Sequence, residues 1–323
     1  MTTHPSETVA RFARIFRGRT DAHGTWKGGA VHGTVDLSQY ETHLNTELKG
    51  IGVYPHRGID GVTWGCIDID GHSFPLDESR EHPDYDRKQP EWHDWEAMER
   101  LAHNLVKALG FKNVPAIVEK TRNGYHVWCF PKDETVPAQV MRRALMAACK
   151  VCKYDPDEVN PKSEILAEGK IGNYVRLPYN HGWNDRKERF FLDPATRSAI
   201  GLDKALDVAE RSLAETSDLE ACASLWTPPR KTTVVDTSVA APEVVAQLRG
   251  LSRTIWADGP LPGSDRSSTL AHLAHLCRED GLSMNDTYGV VCSADLRWGK
   301  FQPEGRTDAV EQLTAITERA FAS

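Results

Sequence analysis

Strand-like and helix-like segments alternate along the first 202 residues, and this alternation limits the folds that the chain can adopt. The runs IGVYPHR, VTWGCIDIDG, VPAIVEKT and GYHVWCF are short and bounded by turn residues, which predicts strands. Between them, residues 95–109 repeat apolar side chains at helical spacing and Gly110 follows, which predicts a helix that ends there. We therefore expect an α/β or α+β domain with a sheet at its centre.

The composition changes after this domain. The run from Thr227 to Glu243, TPPRKTTVVDTSVAAPE, is rich in threonine, serine and proline, which is typical of a linker. Two segments with apolar residues at helical spacing follow, the first preceded by Ser264 or Asp265 as its cap. The sequence thus predicts a core domain in residues 1–205, a helix and linker in residues 206–245, and a small helical bundle in residues 246–323.

Composition narrows the class of protein. The chain has no run near the roughly 20 apolar residues that cross a bilayer, and its start lacks a secretion signal. Its seven cysteines are odd in number and scattered, as is typical of reduced thiols, so we expect a cytoplasmic protein. The net charge of −7 excludes a uniformly basic nucleic-acid coat, but it does not exclude a local basic groove.

The most distinctive local feature is Ile67-Asp68-Ile69-Asp70 at the end of a predicted strand. Side chains two apart in a strand point to the same face, so Asp68 and Asp70 project together while the isoleucines enter the core. Two carboxylates that close repel each other unless a cation lies between them, and oxygen ligands suit Mg²⁺ or Mn²⁺. An isolated D-x-D is, however, more often a pair of solvated aspartates at a strand end.

Two later segments add suitable groups. His126 follows the glycine turn Arg122-Asn123-Gly124 and enters an aromatic strand, where its ring can donate a hydrogen bond to a phosphate oxygen. Read alone, it is more often a structural histidine. The last segment contributes carboxylates and cations that suit a third metal ligand and a triphosphate: Asp155, Asp157, Glu158, Lys162 and Arg176.

The sequence lacks the motifs of three other kinds of site: a zinc finger, a nucleotide-binding phosphate loop and a serine nucleophile. Cys149 and Cys152 form a C-x-x-C, but no second pair stands at zinc-finger spacing, so we predict no zinc. The chain contains neither the phosphate-binding G-x-x-x-x-G-K-[ST] nor a G-x-S-x-G nucleophile.

The order of the segments is more specific than any one of them. Along the chain stand FRGRTDAHGTW, GVYPHRG, WGCIDID, the helix opening DWEAMERL, EKTRNGYHVWCF, EVNPKSEILAEGKIGNYVRLPYN and RKERFFLD. This series resembles the archaeo-eukaryotic primase superfamily, especially the primase-polymerases of phages and plasmids, from about residue 10 to residue 200. In that family a D-x-D or D-x-E motif, a histidine after a glycine turn, and an acidic residue before a P-K and G-N stretch recur in this order.

The resemblance implies a template-directed nucleotidyltransferase built on an RRM-like sheet. It assigns two divalent ions, Mg²⁺ or Mn²⁺, to three carboxylates: Asp68, Asp70 and Glu158. It assigns the phosphates of the incoming nucleotide to three basic side chains: His126, Lys162 and Arg176. Glu158 is favoured because EVNPK matches the acid-x-x-P-K run of the family, but Asp155 and Asp157 stay open as alternatives. A second departure is Gly124, which stands where the family usually has a serine.

The same resemblance implies partners. We expect a single-stranded DNA template, NTP or dNTP substrates, no membrane, and a helicase domain or subunit, because the helical tail resembles the bundle that often precedes a helicase. The chain is then a piece of a longer primase-helicase or acts beside a separate one, in the host cytoplasm if a phage or plasmid encodes it.

Two rival functions are compatible with parts of the sequence. A glycosyltransferase can use a D-x-D to bind Mn²⁺ and a nucleotide sugar, but this leaves the segments around His126 and Lys162 unexplained. A non-catalytic replication protein can bind single strands on aromatic side chains such as Tyr125, Trp128 or Tyr174. For Trp128, core packing is the simpler interpretation.

Two groups of basic residues lie outside these motifs. The first precedes the core strands and suits a helix that packs on the domain, with a phosphate-facing basic side as the less favoured alternative: Arg11, Arg14, Arg17, Arg19 and Lys27. The second lies in the helical bundle, where the cations suit contact with a template or simple solvation: Arg253, Arg266, Arg278, Arg297 and Lys300.

Overall fold

The chain divides into two compact units, Met1–Pro228 and Pro229–Ser323, in the computed structural model. The residues that the structure describes are 6–25, 27–46, 50–76, 89–167, 169–181, 189–227, 240–260, 264–299, 301–302 and 309–322. The division falls in the predicted linker, of which residues 228–239 lie outside the described ranges. None of the described helices is long and apolar enough to cross a membrane.

The first unit mixes strands and helices, as the sequence predicts. Its strands are β1 Ala22–Thr25, β2 Ala30–His32, β3 Ile51–Val53, β4 His56–Arg57, β5 Gly61–Val62, β6 Gly65–Asp70, β7 Ile117–Lys120, β8 Gly124–Pro131, β9 Val136–Pro137, β10 Glu158–Asn160, β11 Val175–Arg176, β12 Phe190–Phe191 and β13 Leu213–Ala214. Its helices are α1 Ser6–Ile15, α2 Leu37–Asn45, α3 Trp95–Gly110, α4 Ala138–Val151, α5 Leu202–Arg211 and α6 Thr216–Ala223.

A six-stranded sheet forms the centre of this unit. Its strands run in the order β10-β6-β8-β7-β12, all antiparallel, and β13 pairs with β8 in parallel. The β7–β8 connection is the hairpin predicted around Arg122-Asn123-Gly124. Strands far apart in the sequence thus become neighbours, because β10 pairs with β6 and β6 pairs with β8.

Hydrophobic clusters cover both faces of this sheet. On one face Ile67 and Val127 pack with Met98 and Leu105 of α3 and with Leu145 of α4. The side chain of Asp94 caps α3 by accepting a hydrogen bond from the Ala97 N–H at 2.9 Å. Because side chains alternate along a strand, the strand residues next to Ile67 and Val127 point to the other face of the sheet.

The second cluster lies on that other face. Cys66 and Trp128 of the sheet pack there with Phe12 of α1 and with Phe16, which directly follows α1. Leu206 of α5 completes this contact. The rings of Phe16 and Trp128 meet edge to face with 5.2 Å between centroids.

Basic side chains of α1 form ion pairs with carboxylates of α5. Arg11 contacts Asp207 and Glu210 of α5 at 2.5 and 2.7 Å, and Arg14 contacts Glu210 at 2.6 Å. This helix therefore has the packing role favoured by its sequence. Leu206, Leu219 and Cys222 belong to the clusters of the first unit. The structure thus extends the core past the predicted boundary at residue 205, because the helices that follow are needed to cover the sheet.

Two smaller sheets complete the first unit. The four-stranded sheet has the order β11-β3-β1-β2, and the three-stranded sheet has the order β4-β5-β9. In the four-stranded sheet Arg176, Gly52, Gly24 and Ala30 lie directly opposite one another across the four strands. Three of the four residues in this row are small, and the ring of Tyr174 packs against the two glycines.

The second unit is helical. Its described helices are α7 Pro242–Val245, α8 Gly250–Asp258, α9 Arg266–Glu279, α10 Met284–Trp298 and α11 Ala309–Ala322. Its core is formed by apolar side chains of three helices, among them Leu270, Leu273, Val290 and Leu313. Asp265, one of the two predicted caps, accepts from the Ser268 N–H at 2.9 Å.

Arginines of the bundle bind main-chain carbonyls. Arg266 donates to Gly299 O at 2.7 Å, Arg278 donates to Ala320 O at 2.6 Å, and Arg297 donates to Ala257 O at 2.9 Å. These carbonyls lie at or near helix ends, where intrahelical partners are missing. Three of the cations considered for template contact therefore hold the bundle together, and Lys300 lies outside the described residues.

Candidate active site

The D-x-D segment ends β6 with its carboxylates on one face. Ile67 and Ile69 are fully buried, whereas the side chains of Asp68 and Asp70 retain 35% and 43% of their exposure. The alternation of burial matches the expectation from the sequence. Asp70 also accepts from the His72 N–H and lies 3.0 Å from His72 Nδ1, so it is held by the short turn that follows the strand.

Four ionisable residues form a row across the six-stranded sheet. Glu158 on β10 is directly opposite Asp68 on β6, Asp68 is opposite His126 on β8, and His126 is opposite Glu119 on β7. Directly opposite residues share a face, so the row brings together three residues that the sequence analysis selected and one that it missed.

His126 lies between two carboxylates. Its Nδ1 is 2.9 Å from Glu119 Oε2, and its Nε2 is 3.4 Å from Asp68 Oδ1. Burial lowers the pKa of His126, but Glu119 and Asp68 outweigh this effect and raise the pKa to about 9. Both ring nitrogens therefore carry protons at neutral pH, with Nδ1 facing Glu119 and Nε2 facing Asp68.

Glu119 anchors the row from the core. Its side chain is fully buried and accepts from Trp128 Nε1 at 2.7 Å and from Arg189 Nε at 2.8 Å, besides its contact with His126. Burial raises the pKa of this carboxyl, but Arg189 and His126 outweigh it and lower the pKa to about 2. Arg189 also donates to the Arg176 carbonyl at 2.7 Å, so the network links the six-stranded sheet to β11 of the four-stranded sheet.

The three candidates for the third acidic residue have different surroundings. Glu158 belongs to the row, whereas Asp157 accepts from Ser73 Oγ at 2.5 Å and lies 3.4 Å from His72 Nε2. Asp155 lies ahead of β10 and does not line the cavity described next. Glu158 is also engaged, because Lys162 Nζ lies 2.6 Å from Oε2 and Asn160 Nδ2 lies 2.9 Å from Oε1.

A cavity of about 670 Å³ lies over this row, between the six-stranded and four-stranded sheets. Its walls include most of the predicted site residues and several neighbours: Asp68, Asp70, His126, Glu158, Arg176, Arg122, Tyr174 and Arg189. Arg122 and Arg176 make no ion pair with the described residues, so their guanidinium groups are available to an anion. Lys162 does not line the cavity and reaches it only through Glu158.

The donor set at this cavity fits a hard divalent cation. Asp68 and Asp70 offer carboxylate oxygens from one face of β6, and Glu158 offers another from the adjacent strand. Among the described residues, no three His, Cys, Asp or Glu side chains are grouped to hold a metal ion as they stand.

The structure explains the glycine that replaces the family's serine. Gly124 is directly opposite Asp70, and a Cβ at this position would lie 1.9 Å from the Ile69 carbonyl oxygen. No side chain fits there, so the hydroxyl contact expected of a serine is absent from this position.

Other predicted features fall outside the site. Trp128 and Tyr125 are buried in the core, where Trp128 donates to Glu119 and Tyr125 donates to Glu99 at 3.4 Å. Cys149 is buried in α4, and burial raises the pKa of its thiol to about 12.

Sequence reasoning missed Glu119, Arg189 and His72. The signal for Glu119 was an acidic residue inside the apolar run AIVEK, at a position whose side chain shares its face with Ile117. Arg189 and His72 carried no comparable signal, because basic residues next to strands are common on surfaces.

These features agree with a comparison against protein families. The family model described as "TOTE conflict system, Archaeo-Eukaryotic Primase domain" matches residues 29–212, more than half of the chain. The matched segment contains the whole row and the cavity. The chain therefore belongs to this family of archaeo-eukaryotic primase domains.

Two further comparisons, with curated proteins and with solved structures, contribute less to the family assignment. A search of curated proteins gave no match. A solved structure that is similar to the chain is a crystal structure of the primase RepB′, with 11% identity and a TM-score of 0.29, over 98% of this chain and 94% of that one. The family match, rather than this structural likeness, is the basis of the assignment. The narrower expectation of a phage or plasmid primase-polymerase stays a prediction.

Proposed function

We propose that the chain catalyses template-directed nucleotidyl transfer on single-stranded DNA, as a primase-polymerase that uses NTP or dNTP substrates. The observation that carries this proposal is the row at the cavity, where Glu158, Asp68 and His126 come from three paired strands. Arg122 and Arg176 line the same cavity and form no ion pair with the described residues. Carboxylates beside cations suit a metal-bound triphosphate, because the two kinds of group contact different parts of it.

The proposal gives each residue a distinct role. Asp68, Asp70 and Glu158 hold Mg²⁺ or Mn²⁺, with Glu158 released from Lys162 when it does so. When bound, such ions assist attack by a 3′-hydroxyl on the α-phosphate and neutralise the departing pyrophosphate. His126 donates its Nε2–H to a phosphate oxygen, and Arg122 and Arg176 bind the remaining phosphate charge. Lys162, freed from Glu158, faces the phosphates from the rim.

Partners follow from the same proposal. A single-stranded DNA template supplies the bases to be copied, and a helicase domain or subunit supplies the single strand. The rival glycosyltransferase function gains no support from the family match, and it gives no role to the His126–Glu119 pair.

A synthesis assay tests the proposal. Single-stranded DNA is incubated with labelled nucleotides and Mg²⁺ or Mn²⁺, with and without a primer, for the wild-type chain and the Asp68→Ala/Asp70→Ala double variant. We expect the double variant to lose synthesis by at least a thousandfold while single-stranded DNA binding stays within about twofold, since the proposed metal ligands are removed without disturbing the basic groups. Glu96→Ala is the matched control, because this carboxylate on α3 is 90% exposed and away from the cavity.

The outcomes separate the possible functions. Products without a primer that vanish in the double variant support a primase, and extension only from a primer supports a polymerase. Synthesis that persists in the double variant contradicts the assigned metal ligands. No product in any condition, with intact DNA binding, favours the non-catalytic replication protein.

A further inference from the structure

Of the three aromatic side chains considered for stacking, Tyr174 lines the cavity, whereas Tyr125 and Trp128 are buried in the core. Tyr174 is half-buried and belongs to the segment Gly172-Asn173-Tyr174-Val175-Arg176. Val175 between Tyr174 and Arg176 is buried in the core. Residues two apart in a strand share a face, so Tyr174 and Arg176 both lie on the cavity side of β11.

The ring packs against two glycines. Gly24 on β1 and Gly52 on β3 are directly opposite each other. A Cβ added at Gly24 would lie 2.3 to 2.5 Å from three atoms of the Tyr174 ring, and one added at Gly52 would lie 2.0 Å from it. The nearly equal distances at Gly24 mean that the face of the ring contacts this glycine, whereas Gly52 lies closest to Cδ2 at the side of the ring. Two opposed glycines weaken a sheet, so their presence here is explained by the close approach of the ring.

Other contacts fix the orientation of this ring. Its hydroxyl donates to the Thr25 carbonyl at 3.1 Å. The ring of Tyr54, which is two residues after Gly52 and so on the same face of β3, stands against it at 5.4 Å with an angle of 72° between the planes. One face of the ring is thus on Gly24, the ring of Tyr54 stands nearly perpendicular to it, and Tyr174 lines the cavity; the outer face of the ring is the one opposite Gly24.

We propose that this outer face of Tyr174 is the stacking platform for the nucleobase of a nucleoside triphosphate whose phosphates reach Arg176 and the Asp68–His126 row. The proposal rests on the function proposed above and names the residue that recognises the base at that site. An aromatic ring held flat recognises any base through its π-face, and its immobilisation beforehand reduces the entropy lost on binding. Gly24 and Gly52 act as positioning residues, because only their lack of a side chain admits the ring.

The incoming nucleotide, rather than a base of the DNA strand, is the ligand that the geometry favours. Tyr174 and Arg176 are two residues apart on one strand, at the same cavity as the proposed metal ligands. A base on the ring and phosphates on the guanidinium group then belong to one small molecule that also reaches Asp68 and Asp70.

Binding measurements with two probes test the proposal without relying on synthesis. Binding of dATP and of inorganic tripolyphosphate, each with Mg²⁺, is measured by calorimetry for the full chain and for Tyr174→Phe, Tyr174→Leu and Arg176→Ala. We expect Tyr174→Leu to weaken dATP binding roughly tenfold and to leave tripolyphosphate binding unchanged, while Tyr174→Phe keeps dATP binding within about twofold. Arg176→Ala is the contrasting variant and should weaken both probes.

Other binding results contradict the proposal that Tyr174 stacks on the base of the nucleotide. Equal affinity of the wild-type chain for both probes, or binding of neither, means that the site does not recognise a base. Equal loss of both probes in Tyr174→Leu means that Tyr174 only supports the fold. If that variant loses single-stranded DNA binding but keeps dATP binding, the base belongs to the strand. Selective loss of dATP binding in a chain that synthesises nothing supports the platform while contradicting the proposed function, so the two failures are distinguishable.

Discussion

Glu119 is a fully buried carboxylate whose charge is met by His126 on one side and Arg189 on the other. Such a group is stabilising only while its partners stay in place, because removal of one member of a buried ion pair leaves an uncompensated charge. No solvent reaches this side chain. At the residue scale, the candidate site is therefore supported from beneath by a side chain that touches no substrate.

We predict that Glu119→Gln lowers the free energy of unfolding by about 3 kcal/mol, since the amide keeps the shape of the carboxylate but leaves Arg189 without its counter-charge and His126 with Asp68 alone. Urea unfolding at pH 7.5 measures the change. Glu99→Gln is the control: this carboxylate has 36% exposure and accepts a hydrogen bond from Tyr125. For Glu99→Gln we expect a loss below about 1 kcal/mol. A Glu119 variant as stable as the Glu99 control contradicts the role assigned to the network.

The sequence predicts residues well where a pattern repeats. The alternation Ile67-Asp68-Ile69-Asp70 places two carboxylates and two core side chains on the faces where the structure has them. It does not predict which acid of the 155–158 segment joins the row, because the local sequence offers carboxylates at three positions and only the pairing of β10 with β6 distinguishes Glu158. Nor does it reveal the ion pair from Lys162, which depends on the path of the chain after β10.

At the scale of elements, α2 is tied to two strands through one histidine. His43 Nε2–H donates to the Pro178 carbonyl at 2.8 Å, and His43 Nδ1 accepts from the Ile51 N–H at 3.1 Å. Ile51 opens β3, and Pro178 follows β11 closely. The ring must be neutral to make both contacts, because Nδ1 needs its lone pair as an acceptor.

This contact predicts a pH dependence of stability. Burial lowers the pKa of His43 to about 4, from 6.5 in the unfolded chain. Between these values the unfolded chain binds a proton that the folded chain does not, so stability falls as the pH falls from 6.5 toward 4. The full effect is about 3 kcal/mol. Thermal unfolding from pH 7.5 to 4.5 should show a smaller decrease in His43→Gln than in the wild type or in a variant of the exposed His32. A decrease of the same size in all three contradicts the prediction.

Helices were predicted unequally well. α3 carries apolar residues at helical spacing and falls within one residue of its expected ends. α10 has no such stripe, because small and polar residues such as Thr287, Gly289 and Ser293 are buried along it. A helix that is covered on most sides has no polar face, so the amphipathic pattern that marks surface helices is missing.

At the scale of the whole molecule, the described hydrophobic clusters divide with the two units. The clusters of the first unit take their residues from the chain before Pro228, and the cluster of the second unit takes its residues from the chain after Pro229. Each unit thus has its own core, which is the usual condition for independent folding.

We predict that a chain of residues 1–228 folds alone, since all the described core residues of the first unit are retained. Its unfolding temperature should lie within a few degrees of the corresponding transition of the full chain, which we expect to show two transitions by calorimetry. The shortened chain without a cooperative transition would contradict this, because it would mean that the second unit completes the first core.

The alternation along β6 also affects how the chain folds. A slip of one residue against β8 would move Asp68 and Asp70 into the cluster that holds Ile67 and Ile69, and would bring the isoleucines to the cavity. The free energy needed to bury two unpaired carboxylates is much larger than the free energy gained from the shifted strand pairing. This misaligned sheet is therefore strongly disfavoured. The carboxylates proposed to serve catalysis thereby also select the correct alignment of the central strands. A variant without both charges loses this selection against the misaligned sheet as well as the proposed catalytic groups.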